Sequence, residues 1–149
     1  MPLGTTSDPF MSFNFVVEIE GLVVGGFSEV TGLQVEVQVE PYQEGGLNEY
    51  VHKLPGPVQY PQNLVLKHGL TDADALWSWH QDVCHGIVRR KNGSIVLLDS
   101  AREERWRWNF VGAYPTRWSG PDLRAGSAEV AFESVELVHR GLEKAPTTR

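Results

Sequence analysis

One stretch of strict alternation constrains this chain more than anything else in it. Leu33, Val35, Val37 and Val39 alternate with Gln34, Glu36, Gln38 and Glu40. A period of two sends successive side chains to opposite faces, which is the geometry of a strand and not of a helix. One face is apolar and the other is acidic and wet. A similar pattern precedes it over residues 12–22, with Phe13, Phe15, Val17 and Ile19 opposed to Asn14, Glu18 and Glu20. Gly25-Gly26 marks a turn or bulge between them. The two segments are expected to form an antiparallel pair with an apolar back and an acidic front.

Residues 41–62 have little periodicity, with room for short extended pieces around residues 50–54, and hold Gly45-Gly46, Pro55-Gly56-Pro57 and Pro61. A connection that long inside a compact domain tends to be functional. A short strand resumes at Leu64, Val65, Leu66 and Lys67 and stops at Gly69. The one convincing helix is expected to start at Thr71 as N-cap, with Asp72 and Asp74 in the first turn, where the helix dipole favours acids. Its apolar face reads Ala73, Leu76, Trp77, His80, Val83, Cys84 and Ile87, and Gly86 terminates it. Asn92-Gly93 predicts a tight turn. Residues 94–99 form a nearly continuous apolar strand, expected to be buried on both faces. Residues 105–114 alternate Trp106, Trp108 and Phe110 with Arg105, Arg107 and Asn109, and Pro115 ends that strand. A loop over 118–126 follows. The last strand, 127–138, changes phase between Phe132 and Val135, which predicts a β-bulge at Glu133-Ser134. The pattern divides the chain into an extended arm (1–11), a single β domain (12–141) and a flexible polar tail (142–149). One helix cannot cover both faces of so much sheet. The fold class is therefore mainly β with one α-helix, a small antiparallel barrel or sandwich with the helix packed on one side.

A chain of 149 residues with 41% hydrophobic content buries enough surface to fold without disulfides, and its lone Cys84 offers none. No apolar run approaches the roughly 20 residues of a membrane span, and nothing near Met1 reads as a signal peptide, so the cell interior is the expected compartment. The formal charge is -6, and it is uneven. Residues 1–70 carry Asp8, Glu18, Glu20, Glu29, Glu36, Glu40, Glu44 and Glu49 against only Lys53 and Lys67, whereas the remainder is balanced. That excess argues against dedicated nucleic-acid binding.

Catalytic signatures are missing: there is no nucleophile elbow, Walker loop or dinucleotide fingerprint. Ser28 in Gly26-Phe27-Ser28-Glu29-Val30 lacks the final glycine of an elbow. His80, Cys84 and His85 are the best metal candidates, yet zinc needs three or four supported ligands and His52, His68 and His139 are scattered. No catalytic residue, metal site or cofactor is expected. Arg89, Arg90 and Lys91 make a short solvated basic cluster. The aromatic alternation at Trp106 and Trp108 reads as a core strand with a snorkelling outer face. What the chain does have is sheet edges, a long connection and an acidic strand face. Such a pair could join laterally with copies of itself, and a closing rotation would give a ring with no free edge.

Several short motifs, in order over roughly residues 8–142, carry a resemblance. They include Asp8-Pro9-Phe10, Gly26-Phe27-Ser28-Glu29-Val30-Thr31-Gly32-Leu33, Tyr42-Gln43-Glu44-Gly45-Gly46 and Leu64-Val65-Leu66-Lys67-His68-Gly69. Phe13-Asn14-Phe15, Lys53-Leu54-Pro55-Gly56, Leu76-Trp77-Ser78-Trp79, Arg90-Lys91-Asn92-Gly93-Ser94-Ile95, Trp108-Asn109-Phe110, Ala113-Tyr114-Pro115, Gly120-Pro121-Asp122-Leu123, Glu129-Val130-Ala131 and Glu136-Leu137 complete the set. The chain resembles the tail-tube proteins of contractile injection systems, the phage-tail-like particles, and more broadly the Hcp tubes of type VI secretion. The Cys84-His85 pair, the Arg-rich stretch over 102–107 and the short C-terminal tail depart from the pattern.

The resemblance implies a non-enzymatic subunit that joins laterally into hexameric rings, stacked as a hollow tube. The implied partners are further copies of itself, a surrounding sheath protein, baseplate or tube-initiator proteins, and protein cargo in the lumen, with no dedicated membrane contact. The subunit would be made in the cytoplasm as part of such a particle. On this reading Gln34, Glu36, Gln38 and Glu40 line the lumen, with Glu18 and Glu20 as neighbours. Tyr42, Glu44, Gly45, Gly46, Leu54 and Pro55 belong to a loop that reaches an adjacent subunit. Arg89 to Lys91 lie on the outer surface facing the sheath. A tube-initiator paralogue is the nearest alternative. A small-ligand barrel with Trp106, Trp108 and Phe110 lining its pocket, or a hydrolase using Asp and His, are the alternatives of other classes.

Overall fold

The computed structural model describes residues 14–22, 26–42 and 52–146. The expected arm (1–11), Glu44, Gly45 and Gly46 lie outside them. The elements are β1 (Phe15–Ile19), β2 (Phe27–Thr31), β3 (Glu36–Tyr42), β4 (His52–Gln59), β5 (Leu64–Gly69), α1 (Ala75–Cys84), β6 (Lys91–Leu98), β7 (Glu104–Ser119), β8 (Phe132–Val138) and β9 (Gly141–Lys144). Seven strands form one antiparallel sheet in the order β1-β6-β7-β8-β5-β2, with β9 attached to β7. Among the described residues no ladder closes that path into a barrel, so of the two expected forms the open one is found. β3 and β4 make a separate two-stranded sheet.

The long strand β7 organises the main sheet. Its first part pairs with β6 on one side and β9 on the other, and its second part, from Tyr114, pairs with β8. Pro115 was expected to end it. The strand instead runs through: Pro115 is buried opposite Leu137, and a register shift between Pro115 and Arg117 absorbs the missing N–H. The core lies between the two parts. Ile19, Leu64, Leu66, Leu76, Trp79, Ile95, Phe110, Ala113, Val135, Leu137 and Leu142 form one buried cluster.

Residues 94–99 behave as expected: Ile95 and Val96, on opposite faces of β6, are both buried. Asn92-Gly93 is not a turn. Both residues lie inside β6, with Gly93 opposite Phe110. A Cβ at Gly93 would sit 2.3 Å from the Phe110 ring and 2.5 Å from the Glu18 carbonyl oxygen, so glycine is there for close approach and not for turning.

The apolar back expected for an adjoining 12–22 and 33–40 pair is also revised. β1 pairs with β6, while β3 pairs with β4, because a proline-bearing stretch read as aperiodic supplies the partner strand. A further strand, β2, occupies Phe27–Thr31 against β5.

The helix starts at Ala75, not near Thr71. Thr71 Oγ1 accepts the Ala73 N–H at 3.2 Å, which satisfies that donor in a turn before the helix. Asp72 and Asp74 therefore precede the first turn. The C-terminus is as read: Gly86 has φ +82°, its N–H bonds the Val83 carbonyl, and the Ile87 N–H bonds the Asp82 carbonyl. The buried face is Leu76 and Trp79, whose indole N–H donates to the Arg89 carbonyl at 2.9 Å. Trp77, Cys84 and Ile87 are exposed.

No bulge interrupts β8. Glu133, Val135 and Leu137 all point inward, and the apparent phase change reflects an acid at an inward position. The expected tail begins with a strand instead, because Leu142 pairs opposite Phe110 and joins the core. His139 is half-buried against Tyr60, with ring centroids 5.0 Å apart. Burial pushes its imidazole below the usual histidine pKa, and the nearby Gly141 backbone offsets part of that. Among the described residues, no helix is long and apolar enough to cross a membrane.

Gly93→Ala is expected to cost about 3 kcal/mol through overpacking against Phe110. A urea-denaturation midpoint equal to wild type would show that β6 and β7 can separate without penalty.

Candidate assembly surfaces

The β3–β4 hairpin presents its apolar side chains to solvent. In the register Val37 lies opposite Val58, with a shift between Val37 and Val39. Val35, Val37, Val39 and Val58 are 45–56% exposed, although β-branched residues on a two-stranded ribbon need a covering layer. The polar side is exposed, with the Gln59 amide donating to Gln38 Oε1 at 3.1 Å. Gln34, Glu36 and Gln38 are exposed there. Glu40, Tyr42 and Leu54 are placed by backbone in the same hairpin, and Pro55 is exposed in β4.

Edge strands add to this. Among the described residues, β1 and β2 end the sheet path and are each hydrogen-bonded to one partner strand, and β9 pairs β7 alone. No other described strand covers their outer backbone groups, which is the arrangement that invites pairing with a further strand.

Glu18 and Glu20 are not brought to the hairpin. Glu18 is exposed on β1 and pairs with Arg107 Nη1 at 3.0 Å. The same guanidinium grips Glu104 through two hydrogen bonds, at 3.0 and 2.7 Å. This network raises the Arg107 pKa, chiefly through the Glu104 hydrogen bonds, and lowers that of Glu104. Glu20 accepts the Asn92 N–H at 3.1 Å. Asp99 is likewise lowered, first by the Glu103 backbone N–H and then by Arg105.

The other candidates fall into structural places. Cys84 Sγ lies 3.8 Å from His80 Nδ1, but His85 Nδ1 bonds the Gln81 carbonyl at 2.8 Å and supplies no third ligand. Among the described residues no group of three His, Cys, Asp or Glu could hold a metal ion. Phe110 is buried and borders an open cleft with Val17, Ile19, Gly93 and Asn109, but Trp106 and Trp108 do not line that cleft, and Lys144 lies over the Trp106 ring at 4.7 Å. Arg89 pairs with Asp82 at 3.0 Å, and Arg90 stacks on Tyr114 at 4.8 Å. Ser28 Oγ donates to the Lys67 carbonyl within the sheet.

Sequence reasoning missed one cluster. Glu133 is 2% exposed; its Oε1 accepts the Trp118 indole N–H at 2.9 Å, and its Oε2 lies 3.2 Å from His68 Nδ1. Trp118 meets Trp77 edge-to-face at 4.7 Å. Leu70, Thr71, Ala73, Asp74, Trp77, Trp118 and Glu133 line a pocket of about 360 Å³ there. The phase change at Glu133 was the visible signal.

The model of the T4-like virus tail tube protein gp19 fits residues 11–143. The chain belongs to that family. This tail-tube chain is similar to a chain in the cryo-EM structure of the anti-feeding prophage (AFP) baseplate, six-fold symmetrised. They share 27% identity and a TM-score of 0.81, over 94% of this chain and 97% of that one. It is equally similar to a chain in the sheath–tube complex of the extracellular contractile injection system PVC in the extended state, at 25% identity, TM-score 0.81 and 93% of both chains. Hcp1 from Flavobacterium johnsoniae shares the fold at 13% identity and TM-score 0.57, over 89% of this chain and 94% of that one. A search of curated proteins returned no match.

Because the folded Glu104 pKa lies below its unfolded value, the Arg107 contacts stabilise the protein above the unfolded value and lose effect as pH falls through the folded one. In Arg107→Ala the Glu104 carboxyl should titrate in the ordinary carboxylate range by NMR. An unchanged titration would assign the shift to another group.

Proposed function

We propose that this tail-tube protein is the repeating inner-tube subunit of a contractile, phage-tail-like injection particle. Copies join laterally into hexameric rings, and the rings stack into a hollow conduit for protein cargo. A sheath surrounds the tube and a baseplate caps one end. The subunit's task is mechanical, with no catalytic step. The observation that carries this reading is the exposed valine face of the β3–β4 hairpin beside open sheet edges. A chain that leaves both uncovered gains most by covering them with another copy of itself.

In this reading Gln34, Glu36, Gln38 and Glu40 line the lumen, where an acidic, hydrated wall would be non-adhesive toward anionic cargo. β1 lies in the other sheet, so Glu18 and Glu20 join that lining only where neighbouring copies bring the two faces together. In the same reading the segment that holds Tyr42, Glu44, Gly45, Gly46, Leu54 and Pro55 contacts the adjacent subunit. The outer surface around Arg89 to Lys91 meets the sheath. A second reading is a tube-initiator position at the baseplate, supported by the similarity to a chain of the AFP baseplate structure.

Concentrated protein imaged by negative-stain electron microscopy, alone and with a baseplate-containing particle fraction, tests both. Tubes from the protein alone, or elongation from the seeded fraction, support the main tube. Binding that stops after one ring supports the initiator. Val37→Asp should fold as wild type by circular dichroism and form no tubes. Tubes from Val37→Asp would remove the valine face from the assembly.

A further inference from the structure

The β3–β4 hairpin is fixed to the rest of the subunit at its root. β3 and β4 form their own sheet and pack chiefly on each other. The chain enters the hairpin past Gly32 and Leu33 and leaves it past Tyr60 and Asn63. A Cβ at Gly32 would fall on the Asn63 carbonyl, so the two legs lie in close approach, and Leu33 and Tyr60 pack against the core. Two side-chain contacts then tie the outgoing leg to β8 and the turn after it. Asn63 Nδ2 donates to Glu136 Oε2 at 3.1 Å, and the Tyr60 ring meets the His139 ring at 5.0 Å between centroids and 58° between planes.

His139 makes its contact without polar help. Both ring nitrogens are shut from water and neither has a hydrogen-bond partner among the described residues. The titratable and charged groups on the elements around it are Tyr60, Glu136, Tyr114 with Arg90 over its ring, and Arg140. Glu136 is engaged by Asn63, Tyr114 lies opposite Val138, and the Arg140 stem runs along Gly112. No carboxylate among the described residues lies within ion-pair distance of His139. A neutral imidazole therefore serves as an aromatic filler between the hairpin root and the sheet. A proton would place a charge on a ring with neither acceptor nor water, and a tilted tyrosine face compensates it only weakly. Swinging the ring into solvent relieves that cost and gives up the contact with Tyr60.

We propose that His139 is a proton-sensitive latch for the β3–β4 hairpin: neutral, it packs on Tyr60 and fixes the hairpin root to the main sheet; protonated, it leaves Tyr60 and loosens the hairpin. Burial holds the folded imidazole below the ordinary value of about 6.5. The latch thus contributes fully above that unfolded value and is lost as pH falls through the folded one. The hairpin carries the exposed valines, so on the tube reading acid also withholds an assembly surface; the latch itself does not depend on that reading.

Hydrogen exchange on the full-length, unassembled chain tests it, with rates corrected for the intrinsic effect of pH. Protection of the β3 and β4 amides should fall about tenfold or more, relative to β6 and β7, between about pH 7.5 and about pH 5. In His139→Phe, which keeps an aromatic ring against Tyr60 but cannot titrate, that relative loss should vanish. A loss that persists in His139→Phe belongs to another group, such as His52 or His68, and overturns the proposal, as does wild-type protection that ignores pH. If thermal melting shows His139→Phe unfolded, a wild-type NMR titration decides: the His139 ring should titrate below the ordinary range with the Tyr60 ring signals moving in step. A His139 ring titrating in the ordinary range, or Tyr60 signals that stay fixed, overturns the latch. Wild-type protein that makes no tubes at neutral pH, even when seeded, defeats the tube reading while these exchange and titration results still decide the latch.

Discussion

The Phe110 ring occupies the space that any side chain at residue 93 would fill, and the arrangement of β7 follows from that contact. With glycine opposite it, β6 can lie close enough for Phe110 to pack into the core. Leu142 of β9 then seals the other side of the same strand. Held there, β7 is long enough, at 16 residues, to leave one partner pair and join β8 beyond Tyr114. The buried Pro115 sits where the strand changes partners, so a residue that usually breaks a ladder marks a useful discontinuity. Core strands, a single helix and the outer edges are all placed relative to this one strand.

That economy leaves the molecule unfinished at its margins. Its core is closed, yet its hairpin valines and its end strands are not. An isolated two-stranded ribbon is marginal in water, and one with bare β-branched residues is an aggregation risk unless something covers it. In the proposed tube that cover is the neighbouring copy. The same logic separates the two acidic regions. Glu18 and Glu104 are held by Arg107, whereas Glu36 stands among glutamines on an open face. A charge fixed by a guanidinium organises its own surface; one left in water sets the field that a passing molecule meets.

The buried Glu133 shows how a polar core residue escapes a pattern-based reading. Burying a carboxylate is costly unless donors meet it, and two do, from His68 and Trp118. Read as polarity alone, Glu133 broke the alternation of its strand and suggested a bulge. Proline had the same effect in β4, where Pro55 and Pro57 lowered the strand signal of a segment that sits at an edge and tolerates them. The helix start failed for a local reason: the Thr71 hydroxyl bonded one turn too early for a cap.

The period-two segments, the apolar run of β6 and the Gly86 stop were legible in the sequence because each depends only on neighbours a few residues away. The lack of catalytic motifs and the ordered tail-tube motifs were legible for the same reason. The partner of each strand was not. β3 found β4 rather than β1, Gly93 served a packing contact rather than a turn, and Leu142 left the tail for the core. These outcomes depend on which surfaces meet across long stretches of chain, where burial and close approach outweigh local propensity. Tertiary structure also decided which apolar faces stay open, since a strand's alternation fixes that it has an apolar face but not whether its own chain can cover it.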